Sequence, residues 1–433
     1  MKELFLGVVA DDFTGASDAA SFLVQAGVRT VMFSGVPEVL PELEEDTAAV
    51  VVAMKTRTIP AEEAVDEMLA AFRWLKEIGA KQLYFKYCAT FDSTAKGNIG
   101  PVADAVLEEW KLPCTILCPA LPVNGRTVRD GKLYVNGILL SESHMKNHPL
   151  TPMTESDVTK LIEMQSKYRA VKVSAEKMRE GSGICAVLPS GVRYLVPEFY
   201  EEQHGDLIAD TFGDLPFLTG GSGLCGALGR RYVREKKAAE NEVPQAGGDM
   251  PDSADARKAT PGAGGGKALL LAGSCSKITL EQIADYRAKG HPSLQILPEK
   301  LLSGEQSAGS AFAWAREAGS GALIYSSQTP EEMRASQALG QEKVAEAIEK
   351  TMSELAAMGV DSGWTRIISA GGETSGAVTR ALGYTAFYIG KSAAPGVPVM
   401  TPVERPELRI VLKSGGVGQT DFFERAERLT EEE

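Results

Sequence analysis

Histidine is scarce in this chain, with four in 433 residues: His144, His148, His204 and His291. No pair stands at metal-ligand spacing on a helix, because His144 and His148 fall in HMKNH, within a stretch that reads as β-structure. That argues against a histidine-built metal centre. Cysteine is equally sparse. Cys88, Cys114, Cys118, Cys185, Cys225 and Cys275 form no CxxC and no Cys/His ligand spacing, which excludes zinc-ribbon and dithiol redox motifs. Cys114 and Cys118, in CTILC, lie on one face of a strand and read as buried thiols. Positive charge is short too. The formal net charge is −13, which disfavours nucleic acid as a partner, since a phosphate backbone needs a basic face. Long apolar runs are missing: nothing approaches the roughly 18 residues of a membrane span. The opening MKELFLGVVADDFTG meets two aspartates too early for a secretion signal. Cytoplasmic residence, with no membrane partner, is therefore expected. No Walker A loop occurs. GAGGGK (262–267) lacks the Ser or Thr after lysine and has Pro261 where the first glycine belongs.

Apolar residues make up 44 % and charged residues 24 %, ordinary globular values, and the length suits two domains. Over the first 230 residues, strand-like and helix-like segments alternate. Strands are expected at 4–10, 29–35, 48–54, 82–87, 114–120 and 216–220, with helices from Thr14 or Gly15 to Ala26, over 61–79 and over 98–110. This is the βαβ rhythm of a parallel sheet covered on both faces. Residues 121–150 break it with turn signals at Asn124-Gly125, Asp130-Gly131 and Asn136-Gly137, which predict a β-excursion. The Gly-, Pro-, Ala- and Asp-rich stretch within 236–267 predicts a flexible linker. The rhythm then resumes with a strand at 268–276, a helix at 277–289, strands near 294–297 and 322–326, a long helix from about 330 to 357, and strand–glycine-turn–helix units at 365–383 and 408–426. The terminal TEEE is expected to fray. The fold class is α/β: two doubly wound three-layer domains with largely parallel sheets, 1–235 for the acceptor and 268–428 for the nucleotide, joined by the linker.

In open parallel sheets, ligands bind beyond the carboxyl ends of strands. The strand at 4–10 delivers Asp11 and Asp12, the strand at 48–54 delivers Lys55 and Arg57, and the strand at 82–87 delivers Lys86 and then Asp92 and Ser93. Carboxylates, cations and hydroxyls on one edge suit a small polyhydroxy acid: a cation holds its carboxylate, and an aspartate orients or deprotonates a hydroxyl. Asp11 or Asp12 could equally cap the helix that follows. Lys86 stands within an apolar strand, where a lysine is costly without an anion. In the second half, three glycine turns follow strands: Gly273-Ser274-Cys275-Ser276, Gly371-Gly372-Glu373-Thr374-Ser375-Gly376, and Lys413-Ser414-Gly415-Gly416-Val417-Gly418. Glycine lets backbone N–H groups approach phosphate oxygens, and a helix N-terminus adds partial positive charge, so together they predict a nucleotide phosphate site.

VVADDFTGASDAA, KYCATFDSTAKGNIGPV, AGGETSGAV and KSGGVGQTDFF, in that order, resemble the four-carbon acid sugar kinase family across nearly the whole chain apart from the linker. The resemblance implies a sugar-acid-binding domain followed by a nucleotide-binding domain, and transfer of the ATP γ-phosphoryl group to the 4-hydroxyl of a tetronate. KYCATFDSTAKGNIGPV, with CPALPVNGRTVRDGKLYVNGILLSESHMKNHPLTPM, looks like the branch acting on 3-oxo-tetronates. A kinase for a reduced tetronate and a non-catalytic sugar-acid sensor are the alternatives. Carried over, the family's ATP contacts fall on Ser274, Gly371, Gly372, Glu373, Thr374 and Gly415. Asp11 and Asp12 are then the catalytic candidates, and Arg57, Lys86, Asp92 and Ser93 the substrate-binding ones. Magnesium is expected with ATP, because phosphoryl transfer needs charge neutralisation. The family also implies a homodimer.

Overall fold

The computed structural model describes residues 3–148, 150–181, 183–242 and 266–433, and it divides into two compact units, Met1–Gly247 and Gly248–Glu433. The first unit runs β1 (Leu4–Ala10), α1 (Phe13–Gln25), β2 (Thr30–Ser34), β3 (Ala49–Ala53), α2 (Ala61–Glu77), β4 (Ala80–Lys86), α3 (Ile99–Glu109) and β5 (Thr115–Cys118). A small hairpin region follows, β6 (Arg126–Arg129), β7 (Lys132–Val135) and β8 (Ile138–Leu139). The unit ends with α4 (Val158–Glu163), β9 (Arg169–Val173), α5 (Ala175–Arg179), β10 (Val192–Pro197), α6 (Glu202–Phe212), β11 (Phe217–Gly220) and α7 (Ser222–Glu242).

Its main sheet has the order β2-β3-β1-β4-β11-β5-β10-β9, and every neighbouring pair is parallel. Helices α1, α6 and α7 pack together as one layer, and α2, α3 and α4 as another. With both faces covered, the strands have no polar side to show. Val8, Val9, Val50, Val51 and Val52 are all fully buried, which is why these strands read as continuous apolar runs. The excursion forms its own antiparallel sheet, β6-β7-β8. Its two turns are Asp130-Gly131 (φ 48° and 70°) and Asn136-Gly137 (φ 51° and 81°), left-handed at both centres, as two-residue hairpins require. Asn124-Gly125 instead closes a short 3₁₀ turn at 122–124.

The second unit runs β12 (Ala268–Ala272), α8 (Lys277–Ala288), β13 (Ser293–Gln295), α9 (Pro298–Ser303), α10 (Ala308–Ala318), β14 (Ala322–Tyr325), α11 (Pro330–Gln337) and α12 (Gln341–Asp361). It continues with β15 (Arg366–Ala370), α13 (Gly372–Leu382), β16 (Ala386–Ala394), β17 (Val397–Pro402), β18 (Arg409–Lys413) and α14 (Phe422–Glu432). The strand order is β13-β14-β12-β15-β18-β17-β16. The first five strands are parallel, and β17 is antiparallel to both its neighbours. The core beside the parallel strands gathers Leu270, Ile368, Val399, Val411, Phe422 and Phe423, with Tyr286 from α8.

Four expectations need correction. Residues 236–242, assigned to the linker by composition, continue α7; residues 243–265 of that linker, with most of GAGGGK, lie outside the described residues. The single helix over 330–357 is two, because Gly340 takes φ 106° and ψ 106°, outside any right-handed helix. The 386–402 hairpin was not foreseen. The chain end does not fray: α14 reaches Glu432, and Glu433 accepts a bond from the Lys391 backbone at 2.6 Å and one through its carbonyl from Arg409 Nη2 at 2.7 Å.

Candidate active site

In the first unit β1 lies between β3 and β4, while the connection from β1 leads to β2 beyond β3. The chain leaves β1 toward one edge of the sheet and later crosses from β3 to β4 on the other side of it, so a switch point, where such sheets bind ligands, lies beside β1. Asp11 is the first residue past β1. Its N–H donates to Lys86 O at 3.1 Å, and its carbonyl accepts from Thr56 N and Arg57 N at 3.0 and 3.2 Å, so the loops after β3 and β4 are pinned to it. Arg57 grips the carboxylate with two bonds, Nε to Oδ2 at 3.0 Å and Nη2 to Oδ1 at 2.7 Å. Its Nη1 lies 2.8 Å from Asp12 Oδ2. The other Asp12 oxygen, Oδ1, accepts from Gly15 N at 2.6 Å and caps α1. Capping and ion pairing are therefore divided between the two oxygens of one side chain.

Asp11 and Lys86 are each only 3 % exposed. Burial pushes the Asp11 carboxyl above its ordinary range, even against the Arg57 charge. For Arg57, burial alone would lower the pKa; Asp11 and Asp12 more than offset it and keep the guanidinium charged. Lys86 Nζ donates to Tyr87 O at 2.8 Å and faces Gly15. A Cβ on Gly15 would meet Asp12 Oδ1 at 2.5 Å and Lys86 Nζ at 3.1 Å, so only glycine leaves this floor open. Asp92 follows Phe91 in consecutive left-handed conformations, φ 45° and 66°, a strained arrangement for non-glycine residues. Its Oδ1 accepts from Thr90 Oγ1 at 2.7 Å. Burial, then the Asp92 charge, pushes the neighbouring Cys88 thiol up to about 11, with Arg57 opposing, so Asp92 belongs to the same electrostatic cluster. Ser93 is buried and accepts from Gln165 Nε2 at 2.9 Å, a contact that ties the loop to the segment after α4. Lys55 is exposed and takes no part.

Asp18 belongs to this cluster and was missed from sequence. Burial raises its carboxyl pKa against the opposing charge of Lys86, and Ser222 Oγ, at the start of α7, donates to it. The signal was present: Asp18 sits in GASDAAS, among residues too small and apolar to form a solvated helix face.

In the second unit, β12 occupies the equivalent switch position, between β14 and β15. Ala272, Ala370 and Lys413 stand level across β12, β15 and β18, so the three glycine turns leave the sheet side by side. They are packed to contact. A Cβ on Gly273 would meet Thr374 Oγ1 at 2.2 Å, and one on Gly415 would meet Ser274 Oγ at 2.2 Å. Gly371, at φ 137°, faces Ser274 N. The Gly415 carbonyl is turned inward, accepting from Ser276 Oγ at 2.5 Å and Thr279 Oγ1 at 2.9 Å. Helix α13 starts at this edge with no side-chain cap, leaving the N–H groups of its first turn available to an anion. Gly372 and Glu373 are exposed there. Thus Ser274, Gly371, Gly372, Glu373, Thr374 and Gly415 are brought to one place.

Lys413 lies beneath the cradle, wholly buried, with no carboxylate partner among the described residues. Nζ donates to Thr279 Oγ1 at 3.0 Å, Ser414 O at 3.1 Å and Gly415 O at 3.2 Å, and lies 5.4 Å from the Phe422 ring centroid. Burial depresses its pKa to about 8. Among the described residues no group of three or more His, Cys, Asp or Glu side chains is placed to hold a metal, and no helix is long and apolar enough to cross a membrane.

Comparison with known proteins covers both units. Residues 6–228 match the family described as a sugar-binding N-terminal domain, and residues 269–423 the one described as a nucleotide-binding C-terminal domain. The chain is 40 % identical to the 3-oxo-tetronate kinase of Brucella melitensis, over 100 % of this chain and 97 % of that one. It is 40 % identical to the 3-oxo-tetronate kinase of Haemophilus influenzae, over 98 % and 99 % of the two chains. Two crystal structures are similar throughout. A Salmonella typhimurium LT2 protein described as a tRNA synthase superposes with a TM-score of 0.86 at 39 % identity, covering 98 % of this chain and 99 % of that one. A Haemophilus influenzae protein does so with a TM-score of 0.84 at 39 % identity, covering 98 % and 100 %.

Proposed function

The chain belongs to the four-carbon acid sugar kinase family, and from that premise we propose that it transfers the γ-phosphoryl group of ATP to the 4-hydroxyl of a 3-oxo-tetronate. The observation that carries the reading is the convergence of three glycine turns on one sheet edge of a unit that matches nucleotide-binding domains. The substrate follows from full-length similarity to 3-oxo-tetronate kinases. A tRNA-directed role, which the description of the Salmonella structure carries, is poorly served by a net charge of −13.

In this reading the turns at Ser274, Gly371–Thr374 and Gly415 offer N–H groups and hydroxyls to the ATP phosphates. Magnesium held by nucleotide phosphates needs only one or two protein carboxylates, so the absence of a preformed cluster among the described residues is compatible with it. Glu373, exposed at the start of α13, would supply such a carboxylate, and the ion would neutralise charge on the phosphates. On the acceptor side, the Lys86 ammonium has a single hydrogen bond among the described residues and so keeps donors for the substrate carboxylate, with the unused N–H groups of Arg57 beside it. Asp12, whose side chain is 30 % exposed against 4 % for Asp11, meets the acceptor hydroxyl and takes its proton. Asp11 holds Arg57, and Asp92 orients the substrate hydroxyls, with Ser93 beside it. The enzyme works in the cytoplasm as a homodimer, which light scattering would check.

The test is a coupled ADP-release assay with 3-oxo-tetronates and with threonate and erythronate. Turnover with the oxo acids should dominate. Faster reaction of the reduced acids would move the chain to another branch, and no ADP release with any acid would remove the kinase reading.

A further inference from the structure

Two hydroxyls of the second unit stand out because nothing among the described residues bonds them. Ser326 and Ser327, directly after β14, are each 2 % exposed, and their Oγ atoms have no hydrogen-bond partner. Buried hydroxyls are normally satisfied, so an orphan in a binding region points to a partner that arrives from outside. The position of Ser326 is fixed by the sheet: its N–H donates to Ala272 O at 2.8 Å, at the last residue of β12. Its side chain faces the first glycine turn. A Cβ on Gly273 would stand 3.3 Å from Ser326 Oγ and 2.2 Å from Thr374 Oγ1. Both hydroxyls therefore border the same bare glycine, at the switch point between β14 and β15 and beside the uncapped start of α13. The next residues keep the loop in place: Gln328 N donates to Cys275 Sγ at 3.4 Å, and Gln328 Nε2 to Ser336 Oγ at 2.7 Å.

We propose that Ser326 is a nucleotide-binding residue whose hydroxyl donates to a phosphate oxygen of the bound nucleotide, alongside Thr374. The inference rests on the nucleotide site proposed above and extends it to a fourth strand. Phosphate is favoured over the ribose because glycine turns and a helix N-terminus, both suited to a dispersed negative charge, surround the hydroxyl. No glycine marks Ser326 in the sequence; IYSSQTP reads as an ordinary strand end.

The test is Ser326→Ala in the full chain, with three measurements: the melting temperature without ligand, the affinities for MgADP and adenosine by calorimetry or competition, and the KM for the acid. A binding role predicts an unchanged or raised melting temperature, because an unsatisfied hydroxyl has gone. It also predicts about tenfold weaker MgADP binding with adenosine binding and acid KM unchanged. Unchanged MgADP affinity overturns the proposal. Equal weakening of adenosine overturns it in favour of a ribose contact, and a lowered melting temperature overturns it in favour of a packing role. A wild-type chain that binds no MgADP would instead remove the functional reading on which the proposal stands.

Discussion

The two units share the order of their first four strands and differ in what they put on it. In each, the first strand lies at a switch point with its third and fourth strands beside it, β3 and β4 around β1, β14 and β15 around β12. Past β1 the chain places charged side chains: Asp11, Asp12 and Asp18 against Arg57 and Lys86. Past β12 it places glycine and hydroxyl residues, with the cation Lys413 buried beneath them. The contrast has a physical cause. A small acid offers few atoms, so it must be gripped by strong, directional, charged groups. A polyphosphate presents many oxygens to a close-fitting backbone, and extra cations can come with the metal. The charged site must balance itself when empty, and it does so through Arg57. The backbone site needs no such balance, but it tolerates no added atoms.

The sharpest way to break the contrast is to remove the balancing charge. Arg57→Met leaves Asp11 buried without its partner, which should cost about 3 kcal/mol in urea unfolding and lower turnover about a thousandfold or more. The double variant Arg57→Met/Asp11→Asn should regain most of the stability and none of the turnover. If the single variant is as stable as wild type, the ion network is not what holds these loops.

Next in size is the separation of cap from base. Asparagine caps helices as well as aspartate, so Asp12→Asn should unfold within about 0.5 kcal/mol of wild type. Turnover should nevertheless fall about a hundredfold, because the proton acceptor is gone. Wild-type turnover in this variant would reduce Asp12 to a cap and pass the base role to Asp11 or Asp18. The corresponding break on the other unit is smaller. Gly371→Ala forces a side chain onto φ 137° and toward Ser274 N, and strain of about 1–3 kcal/mol should weaken MgADP binding about 10- to 100-fold while leaving binding of the acid untouched.

These two sites were legible to different degrees for the same reason that they differ. Glycine turns at strand ends are local, so Gly273, Gly371 and Gly415 could be read from sequence; that β12, β15 and β18 stand side by side and in register is seen only in the sheet. The pairing of Arg57 with Asp11 spans 46 residues, and no local pattern says that the cation will be held by the protein as well as offered to substrate. Asp18 hid because a helix interior is where a solvated aspartate is also expected. In the fold, the continuous buried strands were plain. The 386–402 hairpin was not, because FYIGKSAAPGVPVM carries Gly and Pro within its strands, and the break at Gly340 was masked by strong helix formers on both sides.

The finest test concerns Lys413, the cation buried beneath the glycine turns. Lys413 is buried without a carboxylate, and its pKa is lowered from 10.5 to about 8. Because the folded value is the lower, the unfolded chain holds a proton between these limits that the folded chain has released. Stability should therefore rise with pH from about 8 toward 10.5, and the benefit should be lost as pH falls through 8. Binding should run the opposite way. The ammonium lies under the turns that would hold the phosphates and bonds the Gly415 carbonyl, so deprotonation removes a favourable charge from the site. MgADP affinity should weaken a few-fold, about 0.5–1 kcal/mol, between pH 7 and 9.5, with net proton uptake on binding near pH 8.5 in calorimetry across buffers of different ionisation enthalpy. Lys413→Met should abolish both the uptake and the alkaline rise in stability. A variant that keeps the wild-type pH profile of affinity would show that the cradle works by backbone alone, which would sharpen the contrast between the two units.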